Sequence, residues 1–476
     1  MVGIVAFGGY IPFYRLRRDT IGAAWGKNGG RGEKAVAGSD EDSVTLATEA
    51  VLNSLVGVDR EEIDNLYFAS TRPPYAQKQS ASIVAAACNL REDVVSMDVG
   101  NSLRSGTLAM RAALDAVKSG SARQTIAVAA ECQIAPGDSA AELAVGDGAA
   151  AVVLGSGDAI ATVEHALSTT SDFLDVWRLP EDRYNQSWED RFVLDEGYIR
   201  LMREAMDTAV KRFDLDLADF TRVVYNAPDA RSHGKIAKML KIDAKTQLQD
   251  PLYGTVGNTG TANALLMLVA VLEQSKAGDR ILLANYADGV DVFVIDVQRD
   301  PCPADGYKSI DALLAAKMMI PDYGKYLHLR DMMAWEVDRR PAARTSLPIL
   351  FRERAGLMRL VGKRCNACGH EQFPRTRICM WCQTPLGNSE RYTDVWLKPQ
   401  TGPLFSFNMD VRADTPDLPN VNCVVDLSGG ARFYGLMTDR DPEKIEIGMP
   451  MEFTFRKIND AQGMHNYFWK VRPIRG

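Results

Sequence analysis

Four cysteines carry the plainest chemistry in this chain. Cys365, Cys368, Cys379 and Cys382 form two CxxC pairs, CNAC and CMWC, with ten residues between them. Each pair fits a tight knuckle turn whose backbone N–H groups point at the sulfurs, and two such knuckles close a tetrahedron around Zn²⁺. Four thiolates leave no open coordination position, so a zinc ion there would hold structure and not catalyse. Cys88, Cys132, Cys302 and Cys423 lie scattered in apolar strings and read as core thiols.

A second set of residues draws its meaning from a resemblance. The blocks VGIVAFGGYIPFYRL (Val2 to Leu16), SDEDSVTLATEAVLNSL (Ser39 to Leu55), GDSAAELAVGDGAAAVVLGSG (Gly137 to Gly157), SDFLDVWRLPEDRY (Ser171 to Tyr184), YGTVGNTGTANALLML (Tyr253 to Leu268) and AGDRILLANYADG (Ala277 to Gly289) are collinear. Together they resemble the 3-hydroxy-3-methylglutaryl-CoA synthases of the thiolase superfamily, most closely those of archaea. In that family a Cys carries the acetyl group, a Glu handles the proton leaving the acetyl methyl, and a His assists at the acceptor ketone. The resemblance places Thr71 of ASTRPPYAQK at the Glu position, Leu103 of SLRSGT at the Cys position and Asn226 of YNAPDARSHGK at the His position, with His233 displaced by an insertion. All three catalytic side chains are thus expected to be replaced.

A leucine cannot form a thioester, and Ser102 stands one residue out of register, where its side chain is expected to point elsewhere. The backbone N–H of Leu103 can still donate to a thioester oxygen, and Asn226 and Asn258 can donate to a carbonyl or enolate. This combination suits a reaction through a CoA-thioester enolate without covalent attachment: aldol addition, or retro-aldol cleavage of a β-hydroxyacyl-CoA. Such chemistry needs a base for the β-hydroxyl proton. His233 is the first candidate, followed by Tyr225 and Tyr286, while Glu142 and Asp147 match family positions that can equally hold loop geometry. Cys132 is the substitute nucleophile if there is one. Two other readings stay open: a non-catalytic scaffold that binds CoA intermediates and docks a partner thiolase, and a true synthase whose active residues lie at other positions.

The elements that would hold these residues alternate. Short apolar runs at Val2 to Ala6, Thr125 to Ala129, Ala149 to Leu154, Val223 to Tyr225 and Ile281 to Ala284 read as buried strands with helical patterns between several of them, which predicts an α/β core. The family resemblance implies a thiolase-like, duplicated five-layer fold, with halves at residues 1–165 and 166–335. A linker helix and rubredoxin-like zinc ribbon are expected over 336–384, and a small OB-fold β-barrel over 385–476. The barrel is read from the alternating segments Pro403 to Asp414, Asn422 to Met437, Gly448 to Ile458 and His465 to Pro473, with SGG and NDAQG as hairpin signals. Zinc-ribbon and OB-fold modules resembling these accompany thiolases, and steroid side-chain-cleaving aldolases, thiolase-like proteins that have lost the nucleophile, work with such a partner. The basic stretch Arg339 to Leu360 reads as a linker or a docking segment.

Composition narrows the remaining classes. The chain has 476 residues, 46% of them hydrophobic and 25% charged, enough for two or three cores. A formal net charge of −7 argues against nucleic acid as the main partner. The start MVGIVAFGG enters a strand pattern directly, without a signal-peptide layout, and no apolar run approaches a membrane span. A cytoplasmic protein is expected, homodimeric as the resemblance implies, with an acyl-CoA substrate and a thiolase or other acyl-CoA enzyme as a possible partner.

Overall fold

The computed structural model describes residues 2–334 and 344–475. The chain forms two compact units, the first comprising Met1–Ala37, Asp42–Ala85 and Leu90–Tyr323, the second Gly38–Glu41, Ala86–Asn89 and Gly324–Gly476. Most of residues 1–165 and 166–335 lie in the first unit, while Gly38–Glu41, Ala86–Asn89 and the stretch from Gly324 onward belong to the second.

The first unit is built on a nine-stranded sheet. Its order is Val95–Val99, Ile63–Ala69, Gln124–Glu131, Gly148–Ser156, Val2–Tyr10, Ala161–Ser168, Val290–Val297, Arg280–Tyr286, Arg222–Tyr225. All five apolar runs named above are strands of this sheet. Four of them are buried on both faces, as in Gly148–Ser156, where only the last residue is exposed, while Val2, Val5 and Ala6 in the first run are half-buried. A seam divides the sheet into five strands and four, because Val2–Tyr10 meets Ala161–Ser168 through only two residue pairs, Gly3 with Thr162 and Ile4 with Ala161. Gly3 is needed at this crossing, since a Cβ there would lie 2.1 Å from the Ala161 carbonyl oxygen.

Helices complete the layers. Asn263–Leu272, with all ten residues buried, packs on strands from both sides of the seam and on helix Ser105–Lys118. Helix Ser43–Ser54 covers the outer face of the first half; its Asp42 cap accepts from the Val44 and Thr45 N–H groups, and the Thr45 hydroxyl returns the bond in a capping box. Helix Arg200–Phe213 covers the second half. Helix, half-sheet, buried helices, half-sheet, helix is the five-layer order that the resemblance implied.

The second unit holds a three-stranded sheet, Glu371–Gln372, Val361–Cys365 and Tyr392–Trp396, beside the four CxxC cysteines. It continues into a closed five-stranded barrel in the order Gly402–Asp410, Asn420–Asp426, Arg432–Met437, Met464–Pro473, Pro450–Ala461. The inward set of the alternating pattern fills it: Phe433, Phe453, Phe455 and Trp469 are buried. Also buried in this unit is an ion cluster in which Arg456 pairs with Glu41 at 3.1 Å and Asp439 at 2.7 Å. Of the basic stretch, residues 339–343 lie outside the described residues, and the remainder includes helix Leu347–Leu357. Among the described residues no helix is long and apolar enough to cross a membrane.

Candidate functional site

Three strand ends and a helix start converge in the first unit. Helix Ser105–Lys118 begins in a turn where Asn101 takes a left-handed φ of 68° and the Ser105 N–H donates to the Ser102 carbonyl over 3.0 Å. Gly106 lets this turn approach the loop before helix Asn263–Leu272, for a Cβ there would fall 2.5 Å from the Thr261 carbonyl oxygen. Behind the turn, buried Asp291 accepts from Thr107 at 2.7 Å and pairs with Arg104 at 3.3 Å, and Asn285 donates to Thr107 at 3.1 Å. The helix N-terminus is thus held by buried polar bonds as well as by packing.

Over this turn lies a cleft of about 350 Å³. Leu103 and Thr71 both line it, so the positions that the resemblance matched to the family's Cys and Glu face one space. Its rim is a loop carrying Asp175, Trp177 and Arg178, and the Arg178 guanidinium donates to the Thr71 carbonyl over 2.7 Å. Asp288 closes the opposite side. The Ser102 hydroxyl does not point elsewhere, as expected from its register, but lines the cleft and donates to Asp288 over 2.6 Å.

Beneath Thr71 sits a carboxylate that sequence reasoning missed. Glu131, the last residue of its strand and fully buried, accepts from the Thr71 hydroxyl at 3.0 Å, the Thr71 N–H at 3.2 Å, the Thr261 hydroxyl at 2.5 Å and the Ser70 hydroxyl at 3.4 Å. Burial pushes its carboxyl above the ordinary range, against the pull of the hydroxyl and N–H donors. A single acid ending the apolar run QTIAVAA was the signal available in the sequence.

The predicted site residues divide. Asn226 and Asn258 are neighbours around Ala227. The Asn226 amide spans to the end of the adjacent strand, donating to the Tyr286 carbonyl at 2.9 Å and accepting from its N–H at 2.7 Å. Asn258 donates to the Ala227 carbonyl at 3.3 Å and accepts from the Gly260 N–H at 2.9 Å. Each amide keeps one donor hydrogen beyond these bonds. Tyr225 is fully buried with its hydroxyl on the His233 carbonyl at 2.7 Å. His233 is not returned to the cleft by the insertion. It lies on helix Ala230–Met239, which Asp229 caps, and its ring packs 4.4 Å from that of Tyr225. Burial lowers its pKa to about 4, leaving a neutral imidazole at neutral pH. Tyr286 turns its hydroxyl toward Asp175.

Glu142 and Asp147 hold loops. Glu142 accepts from the Tyr323 hydroxyl at 2.7 Å, and Asp147 accepts from the Ala37 and Gln133 N–H groups, each at 2.7 Å. Cys132 is half-buried and not among the residues lining the cleft.

In the second unit the four CxxC sulfurs lie within 4.8 Å of one another, with Cys365 to Cys382 at 3.7 Å and Cys368 to Cys379 at 3.6 Å. Sulfurs at the corners of a tetrahedron with bonds of about 2.3 Å stand roughly 3.8 Å apart, so the cluster fits a zinc ion. Each CxxC turn closes through the backbone, the Gly369 N–H donating to the Cys365 carbonyl and the Gln383 N–H to that of Cys379.

Comparison with known proteins places the first unit. The hydroxymethylglutaryl-CoA synthase of Pyrococcus horikoshii is 35% identical over 304 residues, which are 62% of this chain and 87% of that protein. The chain belongs to the hydroxymethylglutaryl-CoA synthase family. No family model matches the sequence. Among solved structures, an HMG-CoA synthase complexed with CoA superposes with a TM-score of 0.64 at 19% identity, covering 72% of this chain and 94% of that one. The 3-oxoacyl-[acyl-carrier-protein] synthase III of Aquifex aeolicus superposes with a TM-score of 0.56 at 19% identity, over 62% of this chain and all of that one. These likenesses are of fold. They show that the α/β fold of the first unit is shared with these synthases.

Proposed function

We propose that the first unit binds an acyl-CoA thioester at the Thr71–Leu103 cleft and makes or breaks a carbon–carbon bond by aldol chemistry, with no acyl group passed to the protein. The observation that carries this reading is the shared cleft. The family resemblance puts a nucleophile and a base at these two positions, and here the same space presents a leucine and a threonine beside the carboxylates Asp175 and Asp288. A leucine at the start of helix Ser105–Lys118 removes the thiolate but leaves the backbone N–H of that turn to polarise a thioester carbonyl. A β-hydroxyacyl-CoA would lose its hydroxyl proton, break its Cα–Cβ bond and leave as a carbonyl compound and an acyl-CoA. Leu103, Leu174 and Trp177 supply an apolar wall suited to an acyl chain.

The second unit fits a zinc ribbon followed by an OB-fold barrel. The sulfur spacing supports the first, and a closed five-stranded barrel with Arg432–Met437 parallel to Met464–Pro473 supports the second. Zinc there would be structural.

A second reading is favoured by the 35% identity to a synthase: a covalent synthase that uses another cysteine. Acid quench of the full chain after incubation with acetyl-CoA, followed by peptide mass spectrometry, separates the two. No acetylated peptide together with turnover of a β-hydroxyacyl-CoA supports the aldol reading. An acetyl mass on a peptide holding Cys132 or Cys88 overturns it.

A further inference from the structure

Asp175 stands on the irregular segment between strand Ala161–Ser168 and the helix that starts at Asp190, with its carboxylate on the cleft. One of its oxygens accepts from the Val176 N–H at 2.6 Å. The other groups facing it are Tyr286, Asp288 across the cleft and Arg178 on the rim. Tyr286 is held in place with unusual completeness. Asn226 grips its backbone on both sides, the Tyr198 ring meets its ring edge-on at 5.3 Å, and Gly197 leaves room for its hydroxyl, since a Cβ there would come within 2.8 Å of that oxygen. The hydroxyl is buried, is aimed at Asp175, and meets no group with full hydrogen-bond geometry among the described residues.

We propose that Asp175 is the proton-carrying group of the cleft and that Tyr286 positions its carboxylate. This rests on the aldol reading above. In cleavage, the Asp175 carboxylate takes the β-hydroxyl proton as the Cα–Cβ bond breaks, and the bonding pair moves into the thioester enolate. The β-carbon leaves as an aldehyde or ketone. The same proton then passes from the Asp175 carboxyl to Cα, giving the shortened acyl-CoA and restoring the carboxylate. In the synthetic direction Asp175 removes the α-proton first. Burial, with a smaller part from the charge of Asp288, raises the proton affinity of Asp175 against the opposite pull of the Tyr286 hydroxyl and the Val176 N–H, and the net direction favours a base working near neutral pH.

Deuterium exchange tests this without knowledge of the acceptor. The full chain is incubated with acetyl-CoA in D₂O, and label in the acetyl methyl group is followed by mass spectrometry. Wild-type protein is expected to exchange the methyl protons. Asp175→Asn should slow exchange by about 10²–10⁴-fold, the usual worth of a positioned acid or base, while calorimetric CoA binding stays within a few-fold. Asp175→Glu should recover part of the rate. Tyr286→Phe should slow exchange less and displace its pH profile. Full exchange by Asp175→Asn overturns this assignment and leaves the aldol reading standing. Absence of exchange by the wild type overturns both. If Asp175→Asn no longer binds CoA, Tyr286→Phe decides, and an unchanged rate and pH profile refutes the pairing.

Discussion

Thr71 and Glu131 are tied twice, the threonine hydroxyl donating to one carboxylate oxygen at 3.0 Å and its backbone N–H to the other at 3.2 Å. The position that the resemblance gives to the family's glutamate is therefore occupied by a residue that leans on a different buried acid. Glu131 also takes the Thr261 hydroxyl, so one carboxylate joins the floor of the cleft to the loop before helix Asn263–Leu272.

Replacing that acid should loosen the floor. Glu131→Ala leaves buried hydroxyls without an acceptor, each costing about 1–3 kcal/mol, and a urea unfolding curve should move accordingly. Glu131→Gln should cost less and change the pH dependence. Because the folded carboxyl binds its proton more tightly than the unfolded one, its contribution to stability declines as pH rises from the ordinary carboxyl range of about 4.5 toward the folded value. The glutamine variant should lack that decline.

His233 carries the opposite sign. Its folded pKa of about 4 lies below the ordinary 6.5, so the unfolded chain takes up a proton first as pH falls. Stability from the neutral ring is complete above pH 6.5 and lost progressively toward pH 4, to a total of about 3 kcal/mol. An NMR titration that finds this imidazole with a midpoint above 6 would contradict the buried placement.

If no acyl-enzyme forms, Leu103→Ala should leave turnover measurable. Removing a donor at Asn258 should cost more, on the order of 10²–10³ in rate if its remaining amide hydrogen reaches the enolate oxygen. Equal losses from the two substitutions would argue against a donor role for Asn258.

The cysteine cluster predicts about one zinc per chain. Metal analysis of Cys365→Ser and Cys379→Ser proteins should show loss of the ion together with protease sensitivity between Val361 and Trp396. Full zinc retention would remove the assignment.

Arg456 tests the buried ion cluster of the second unit. Its guanidinium is fully buried against Glu41 and Asp439, so Arg456→Ala takes a cation from both carboxylates while Arg472 still holds Asp439 at 3.1 Å, and the loss should be up to about 3–5 kcal/mol. Thermal melts should show this loss, and Arg456→Lys, which keeps a cation beside both carboxylates, should lose less.

Much of the scaffold was legible from residue order alone. Short apolar runs such as Ala149 to Leu154 favour buried strands over helices by their length, and the spacing of CNAC and CMWC matches a four-thiolate metal site. The resemblance alone sets Leu103 at the family's Cys position, and that a leucine forms no thioester follows from the side chain itself. What lay beyond the sequence is what meets across the cleft. Asp175 and Asp288 face one space only because a loop and a strand turn far apart in the chain are brought together by the layered sheet. Ser102 turned inward because the left-handed Asn101 redirects the chain just before it, a backbone conformation that register alone does not reveal. His233 went the other way. Asp229 starts a helix within the insertion, and one face of that helix had to be buried, so the imidazole was drawn into aromatic packing with Tyr225 and away from the cleft. Local pattern specifies which residues are strand, helix and ligand, whereas proton affinity and direction depend on long-range burial and neighbouring charge, which exist only once the layers have closed.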